Sequence, residues 1–297
     1  MALFDQLGVI GCGLMGGSFA LAMRHGGLVQ RIVGYSKSPL TTERARRLGV
    51  IDAVAESALQ AVAGSDIVLI AVPVAATEAT LKAIREMVEP SVLVMDVGST
   101  KRDVVDAARR VLRERLASFV PAHPIAGKEG AGVEHADALL YNGRTVILTP
   151  LAQTSPEHMR RATDVWSAIG ADVLCMTPES HDAAFAAVSH LPHLLAFAYF
   201  HAITQQAAGR DFLSLAGPGF RDFTRIAASD PTIWRDILSS NREEVLRQLD
   251  RLRGALDTYE AVLRSGDTTT LEHLIRLASD ARGGWTLGSG PRPPSTR

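Results

Sequence analysis

Three groups of residues in this chain of 297 have types and spacings suited to chemistry. The first is Gly11-Cys12-Gly13-Leu14-Met15-Gly16, which follows the apolar run Leu7–Ile10 and precedes a helix-length segment. A strand feeding G-x-G-x-x-G and then a helix aims backbone N–H groups and the positive end of the helix at a pyrophosphate. The pattern predicts a dinucleotide site made by Gly11, Gly13 and Gly16 with the intervening Leu14 and Met15, and leaves Cys12 as a small filler. The second group is Asp96-Val97-Gly98-Ser99-Thr100-Lys101 and Ala122-His123-Pro124-Ile125-Ala126-Gly127-Lys128-Glu129, each directly after an apolar β-branched run. Ligands of an open α/β sheet lie beyond the carboxyl ends of its strands, so Ser99 and His123 are expected at one edge, near the cofactor. A histidine there, ahead of a proline in a glycine-containing loop, suits a proton acceptor. Val72-Pro73, also after a run, suits a wall for the nicotinamide because proline fixes the turn.

The third group lies in the second half. Ser189-His190-Leu191-Pro192-His193 places two imidazoles three apart on a helix. No nearby Cys or carboxylate has the spacing to complete a metal set, so no metal is expected. His190 is read as a buried, hydrogen-bonded imidazole and His193 as substrate-facing. Arg221, Asp222 and Arg225 share Leu215–Arg225, a stretch too rich in Gly and Pro for uninterrupted helix, which reads as a turn carrying charge. A guanidinium held there, beside Gly217 and Gly219, suits bidentate capture of a carboxylate.

An NAD site usually presents Asp or Glu to the ribose about twenty residues past the third glycine. Here Ser36 occupies that place and Lys37 follows, so a 2′-phosphate meets a cation instead of a carboxylate. NADP is the first choice. NAD bound through Ser36, with Lys37 a solvated lysine, is the alternative.

The elements that must position these groups change character along the chain. Up to residue 177 short apolar runs alternate with helical stretches (Leu7–Ile10, Ile32–Tyr35, Ile67–Val72, Val92–Asp96, Phe119–Val120, Thr145–Leu148, Asp172–Met176), which predicts an α/β doubly wound, mostly parallel sheet of Rossmann type. From 178 to 282 the strand signal disappears and an all-α domain is expected, with Pro192 bending or resetting its first long helix. A second long helix is expected from Pro231, with Leu238, Val245, Leu252 and Tyr259 spaced by seven beside Leu249, Leu256 and Leu263. That double stripe is a coiled-coil-like seam, open to packing within the subunit or against a second chain. Residues 283–297 are Gly/Pro/Ser-rich and expected to be disordered. Thirty-one Lys+Arg against 32 Asp+Glu leave a net charge of −1, so no general field recruits nucleic acid or a membrane surface, and any anion must be bound by a few placed cations. Two cysteines are too few for a disulfide framework, and the N-terminal residues lack the pattern of a secretion signal, so a cytoplasmic protein is expected. The apolar stretch Phe185–Ile203 contains Ser189, His190, Pro192, His193 and His201, which does not suit a lipid-spanning helix.

Taken together, GCGLMGGS, DVGSTK, HPIAGKEGAGVE, SHLPH and GFRDFTRIAASDPTIWRDI, in this order from Gly11 to Ile237, resemble the prephenate/arogenate dehydrogenase family of tyrosine biosynthesis. The resemblance implies oxidative decarboxylation of prephenate, or of arogenate, with hydride transfer to NAD(P)+. It implies that Gly11, Gly13 and Gly16 hold the pyrophosphate, that Ser99 and His123 contact the ring hydroxyl, and that Ser189 and His193 line the substrate pocket. Arg225 is implied to hold a substrate carboxylate within a polar network including Glu129 and Asp222. A homodimer through the helical half is also implied. This chain departs from the family pattern with Thr100-Lys101-Arg102 after Ser99 and with Lys128 where a small hydroxyl residue is common. The β-hydroxyacid dehydrogenases share the two-domain plan but place a catalytic lysine in the second domain, and no lysine follows Lys128 here. A pyrroline-carboxylate-type reductase would leave HPIAG and SHLPH unexplained, and a non-catalytic NADP-binding regulator would need neither Ser99 nor His123.

Overall fold

A computed structural model describes residues 3–128 and 130–286. The chain opens with β1 (Phe4–Ile10), α1 (Leu14–His25), β2 (Val29–Tyr35), α2 (Pro39–Arg47), β3 (Ala53–Val54), α3 (Ala58–Val62), β4 (Ile67–Ile70), α4 (Thr77–Ile84), β5 (Leu93–Asp96), α5 (Arg102–Leu112) and β6 (Phe119–Val120). These six strands form one parallel sheet in the order β3-β2-β1-β4-β5-β6. The reversal of strand order between β1 and β4 is the crevice where such sheets bind ligands. The central strands are apolar at successive positions because helices cover both sides. Leu7, Val9, Ile67 and Leu69 enter one core cluster with Phe19, Tyr141 and Trp166. Ile10, Val68, Ile70 and Val94 enter another with Leu81, Ile84 and Val104. Alternation of neighbouring residues between two cores is the period of two expected of a sheet buried on both faces.

The last strands do not extend this sheet, contrary to the single sheet read from sequence. After Pro121 the chain makes β7 (Ala122–Pro124), then β8 (Thr145–Leu148), α6 (Pro156–Ala168) and β9 (Asp172–Cys175). They form a separate three-stranded sheet in which β7 and β8 are antiparallel and β8 and β9 parallel. Pro121 has no N–H for a continuing ladder, and the N–H of Ala122 is taken by Asp96 Oδ1 at 3.1 Å. The chain therefore leaves the large sheet immediately after β6.

The remainder is helical: α7 (Pro178–Phe185), a π-turn (Ala186–His190), α8 (Leu191–Thr204), α9 (Gly209–Ser214), α10 (Pro218–Thr224), α11 (Pro231–Ser240), α12 (Arg242–Ser265) and α13 (Thr268–Gly283). The chain divides into two compact units. Among the described residues, one runs through Asp182 and regains Ala228–Asn241; the other comprises Ala183–Ala227 and residues 242–286. In this division α11 falls with the dinucleotide unit. The physical reason is visible at its end, where Ile237 is buried and Asn241 Nδ2 donates to Asp182 O at 2.8 Å. The long helix expected from Pro231 is accordingly two helices broken at Asn241, and the seam is confined to α12. There Val245 is buried while Leu256 and Leu263 are 56% and 63% exposed. The Gly/Pro turn read over Leu215–Arg225 contains the short helix α10, started by Pro218 at its first position. Of the C-terminal segment, Gly283 closes α13 and the Arg282 guanidinium lies over the Trp285 ring; residues 287–297 lie outside the described residues.

Within the helical run Pro178–Thr204 an 18-residue window has a mean hydropathy of 1.4, and the run meets the length and composition of a membrane span. Its polar content argues otherwise, since His181, Asp182 and His190 lie within it and are buried in protein.

Candidate active site

The glycine loop satisfies the requirements of a dinucleotide cradle. Gly11 has φ +99° and a side chain there would strike Ala71 O at 2.2 Å, so this tight turn admits glycine alone. A Cβ on Gly16 would lie 2.0 Å from Gly11 O, which is the close helix–strand packing expected of the third glycine. Gly13 differs, because a Cβ there would meet nothing within 4 Å. Its backbone faces open space at the N-cap of the 12-residue α1, and no side chain caps that helix. Uncapped N–H groups at an approachable helix N-terminus fit a pyrophosphate. Leu14 and Met15, the first helical residues, are half-buried, and Met15 O is held by Tyr141 Oη at 2.7 Å. Ser36 has a structural task beside any contact with a ribose, since its Oγ accepts from Cys12 N at 2.8 Å and ties the end of β2 to the loop. Lys37 next to it is exposed. Cys12 is fully buried, and burial pushes its thiol up to about 11 against the hydrogen bond with Ser36, so it is inert filler. Beyond β4, Val72 is half-buried and Pro73 exposed.

In the same unit His123 sits on β7, three residues past the end of β6, and is half-buried. Its Nδ1 is 2.8 Å from His181 Nε2, and His181 Nδ1 is 2.8 Å from Asp182 Oδ1. His181 and Asp182 are both buried. Asp182 also accepts from the backbone N–H groups of Lys101 (Oδ1, 2.8 Å) and Arg102 (Oδ2, 3.0 Å), where α5 begins. Those residues end the loop that carries Ser99, itself half-buried. A second fixture ties this loop to β7. The wholly buried Lys101 ammonium contacts Asp96 Oδ2 at 2.5 Å and Ala122 O at 2.7 Å. Asp96 also accepts from Gly98 N at 2.8 Å. Burial pushes the Asp96 carboxyl above the ordinary carboxylate value against the pull of Lys101 and the two backbone donors. Through these bonds the end of the loop that carries Ser99 is tied to the strand that carries His123.

In the helical unit, Pro192 has no N–H to donate, and the ladder is reset just before it, with Leu191 N reaching Ala186 O five residues back. The resulting π-turn carries Ser189 and His190. His190 is buried, whereas His193 is half-buried and its Nδ1 is 2.9 Å from Ser189 O. Burial holds the His193 imidazole below the ordinary histidine value against the Ser189 bond, and the nearby Arg225 charge adds to the lowering. Arg225 is exposed at the end of α10, and Asp222, also exposed, has its carboxylate 3.3 Å from Arg221. Thus His193, Ser189 and Arg225 are brought together in this unit. Lys128, read as an added charge near the substrate, is engaged by Asp137 at 2.8 Å; Glu129 lies outside the described residues.

Reasoning from sequence missed His181, Asp182 and Asn241, and named Lys101 without a role. His181-Asp182 lies in the first turns of a helix opened by Pro178 directly after a strand. That was an available signal, although polar residues in a first helical turn are ordinary caps.

A glycine cradle and a hydrogen-bonded histidine beyond the strand ends, within one doubly wound unit, describe a dinucleotide-dependent oxidoreductase. Comparison with known proteins narrows the class. Residues 19–175 match the prephenate dehydrogenase nucleotide-binding domain and residues 177–277 the prephenate dehydrogenase dimerization domain. The chain is 35% identical over 291 residues to prephenate dehydrogenase of Bacillus subtilis, covering 95% of this chain and 76% of that protein. It is 33% identical over 284 residues to cyclohexadienyl dehydrogenase of Zymomonas mobilis, covering 95% and 96%. The solved structure of Aquifex aeolicus prephenate dehydrogenase with hydroxyphenyl propionate and NAD+ superposes with a TM-score of 0.87 at 34% identity, covering 94% of this chain and 98% of that one. The chain belongs to the prephenate dehydrogenase family.

Proposed function

We propose that this protein catalyses oxidative decarboxylation of prephenate to 4-hydroxyphenylpyruvate, with hydride transfer to NAD(P)+. The observation that carries the reading is His123, held by His181 beyond the strand ends of the unit that contains the glycine cradle. Gly11, Gly13, Gly16, Leu14 and Met15 would hold the pyrophosphate, with Val72 and Pro73 beside the nicotinamide. When bound, the nicotinamide supplies the hydride acceptor for the carbinol carbon. His123 takes the ring hydroxyl proton while Ser99 hydrogen-bonds the same oxygen. The ring carboxylate departs as CO2, and the electron pair of the broken C–C bond enters the ring and gives the phenolate, which recovers its proton from His123 to form the phenol. Aromatisation makes the sequence downhill, so the protein's work is orientation plus one base.

Arg225 binds a substrate carboxylate by charge-assisted hydrogen bonds, and Ser189 and His193 line the substrate's surroundings. The half-buried His193, kept neutral at pH 7, suits a hydrogen-bonding role better than a charged one. Glu129 and Asp222 form the polar network about Arg225 in this reading. NADP is favoured through Lys37, which stands exposed at the end of β2 where an NAD site usually has a carboxylate; NAD is the alternative, as arogenate is to prephenate. A four-way assay crossing prephenate and arogenate with NAD+ and NADP+, followed by reduced-nicotinamide absorbance, tests the assignment. No absorbance rise in any arm would leave only a nucleotide-binding role.

We further propose a cytoplasmic homodimer through the helical unit. In a single chain this unit exposes Phe212 (50%), Phe223 (54%) and Leu263 (63%). So much apolar surface calls for a cover, and a second copy supplies one. Sedimentation equilibrium reporting a monomer at micromolar concentration would exclude it.

A further inference from the structure

We infer that His181 and Asp182 are positioning residues for His123, setting the tautomers of both imidazoles so that the substrate proton is received on His123 Nε2. This rests on the reading of His123 as the base. A carboxylate only accepts, so the 2.8 Å contact of Asp182 Oδ1 places the proton of neutral His181 on Nδ1. His181 Nε2 is then an acceptor, and its 2.8 Å contact with His123 Nδ1 requires His123 to donate from that nitrogen. The lone pair of neutral His123 therefore resides on Nε2. When Nε2 takes a proton, the imidazolium is stabilised by the acceptor on His181 and, through it, by the Asp182 carboxylate. No covalent bond changes in either residue.

The relay is anchored at its far end. Asp182 is fixed by Lys101 N, Arg102 N and Asn241 Nδ2, which belong to the start of α5 and the end of α11. The carboxylate that orients His123 is thereby also the cap of the helix following the Ser99 loop. One group sets the position of both residues assigned to the ring hydroxyl. Charged groups on the elements bonded to β7 and to Asp182 include the Asp96–Lys101 pair, whose ammonium bonds Ala122 O beside His123, and Arg102, whose N–H donates to Asp182 at the head of α5. On β8 the residues paired with β7 are Val146, Ile147 and Leu148, which do not titrate. These neighbours persist when His181 or Asp182 is replaced, so a change in the pH profile reports the relay.

The test compares Asp182→Asn, His181→Asn and His123→Asn in the full-length protein, with melting temperature and cofactor affinity measured alongside kcat, KM and the pH dependence of kcat/KM. Asp182→Asn keeps the size and a capping oxygen, but its amide can donate to His181 Nδ1, which reverses both tautomers. The expected result is a fall in kcat of roughly 10²-fold or more at little-changed KM, as when a triad carboxylate is made neutral. His181→Asn should lower kcat similarly and move the acid limb of the profile to lower pH, because the imidazolium loses its support. If His123→Asn is inactive while the other two keep wild-type kcat and profile, the relay is wrong and the base assignment stands. If His123→Asn itself turns over normally, both fall. Imidazole 15N shifts of the wild-type protein, assigned with the His123 and His181 variants, read the tautomers without any Asp182 variant. A proton on Nδ1 of both rings supports the relay, and one on Nε2 of neutral His123 overturns it.

Discussion

Lys101→Met is a direct probe of how the site is held together. Lys101 and Asp96 are 0% and 1% exposed, and the ammonium has two partners, Asp96 Oδ2 and Ala122 O. Methionine fills nearly the same space but leaves Asp96 with only the N–H groups of Gly98 and Ala122. Breaking a buried pair by removing one partner costs about 3–5 kcal/mol, because an uncompensated charge stays buried. For a folding unit of this size that corresponds to a melting temperature lower by roughly 6–20 °C. The loss should depend on pH with a definite sign. Burial already raises the Asp96 carboxyl, and without Lys101 it rises further above its value in the unfolded chain. The folded variant then binds a proton that the unfolded chain lacks at neutral pH, so its relative stability is regained on acidification and lost as pH rises through the folded-state value. Thermal unfolding at pH 8 and pH 5 measures both effects. A melting temperature within about 2 °C of wild type at pH 8, or a deficit of equal size at both pH values, would refute the argument. Asp96→Asn in the Lys101→Met background should recover part of the loss, since a neutral pair in the interior carries no stranded charge.

Other outcomes follow from the same geometry. Arg225→Ala should raise the KM for prephenate by about 10- to 150-fold with a smaller effect on kcat, because charge-assisted hydrogen bonds contribute about 1.5–3 kcal/mol; steady-state kinetics check this, and an unchanged KM removes Arg225 from substrate binding. Gly13→Ala should fold like wild type and bind cofactor more weakly, whereas Gly16→Ala should lose stability as well, since its Cβ would sit 2.0 Å from Gly11 O; melting curves with cofactor titrations separate the two. His193 should titrate below the ordinary histidine value of about 6.5, as followed by its ring proton shifts. Because the folded value is depressed, the stability contributed by neutral His193 is present above the unfolded value and is lost as pH falls through the folded one.

Much of this was legible in the sequence because it depends on local rules. The apolar runs Leu7–Ile10 and Ile67–Ile70 read as buried strands since both faces of the sheet are covered, and Gly11 and Gly16 read as a cradle since only glycine fits there. Pro192 announced the reset of its helix, although the π-turn that accomplishes it was not specified. What stayed hidden depends on contacts remote in sequence. Asp182 gains its importance from Lys101, 81 positions earlier, and Asn241 from Asp182, 59 positions earlier. Nothing in the composition around Pro231 says that α11 rejoins the first unit, because a helix with one apolar stripe carries no address for the surface it will cover. The separate small sheet was likewise invisible, since β7 is three residues long and is defined by the hydrogen bonds that Pro121 and Asp96 deny to the larger one.

The return of Ala228–Asn241 to the dinucleotide unit has a practical consequence for dissecting the protein. A fragment ending at residue 177 would retain the glycine cradle, Ser99 and His123 while losing His181, Asp182 and α11. It would keep the coenzyme-handling half of the machinery and leave His123 without the neighbours that orient it. Since the chain leaves the first unit after Asp182 and again after Asn241, no single cut yields that unit whole. Swapping helical units between relatives would therefore require three splices, after Asp182, Ala227 and Asn241, with α11 kept from the same parent as His181.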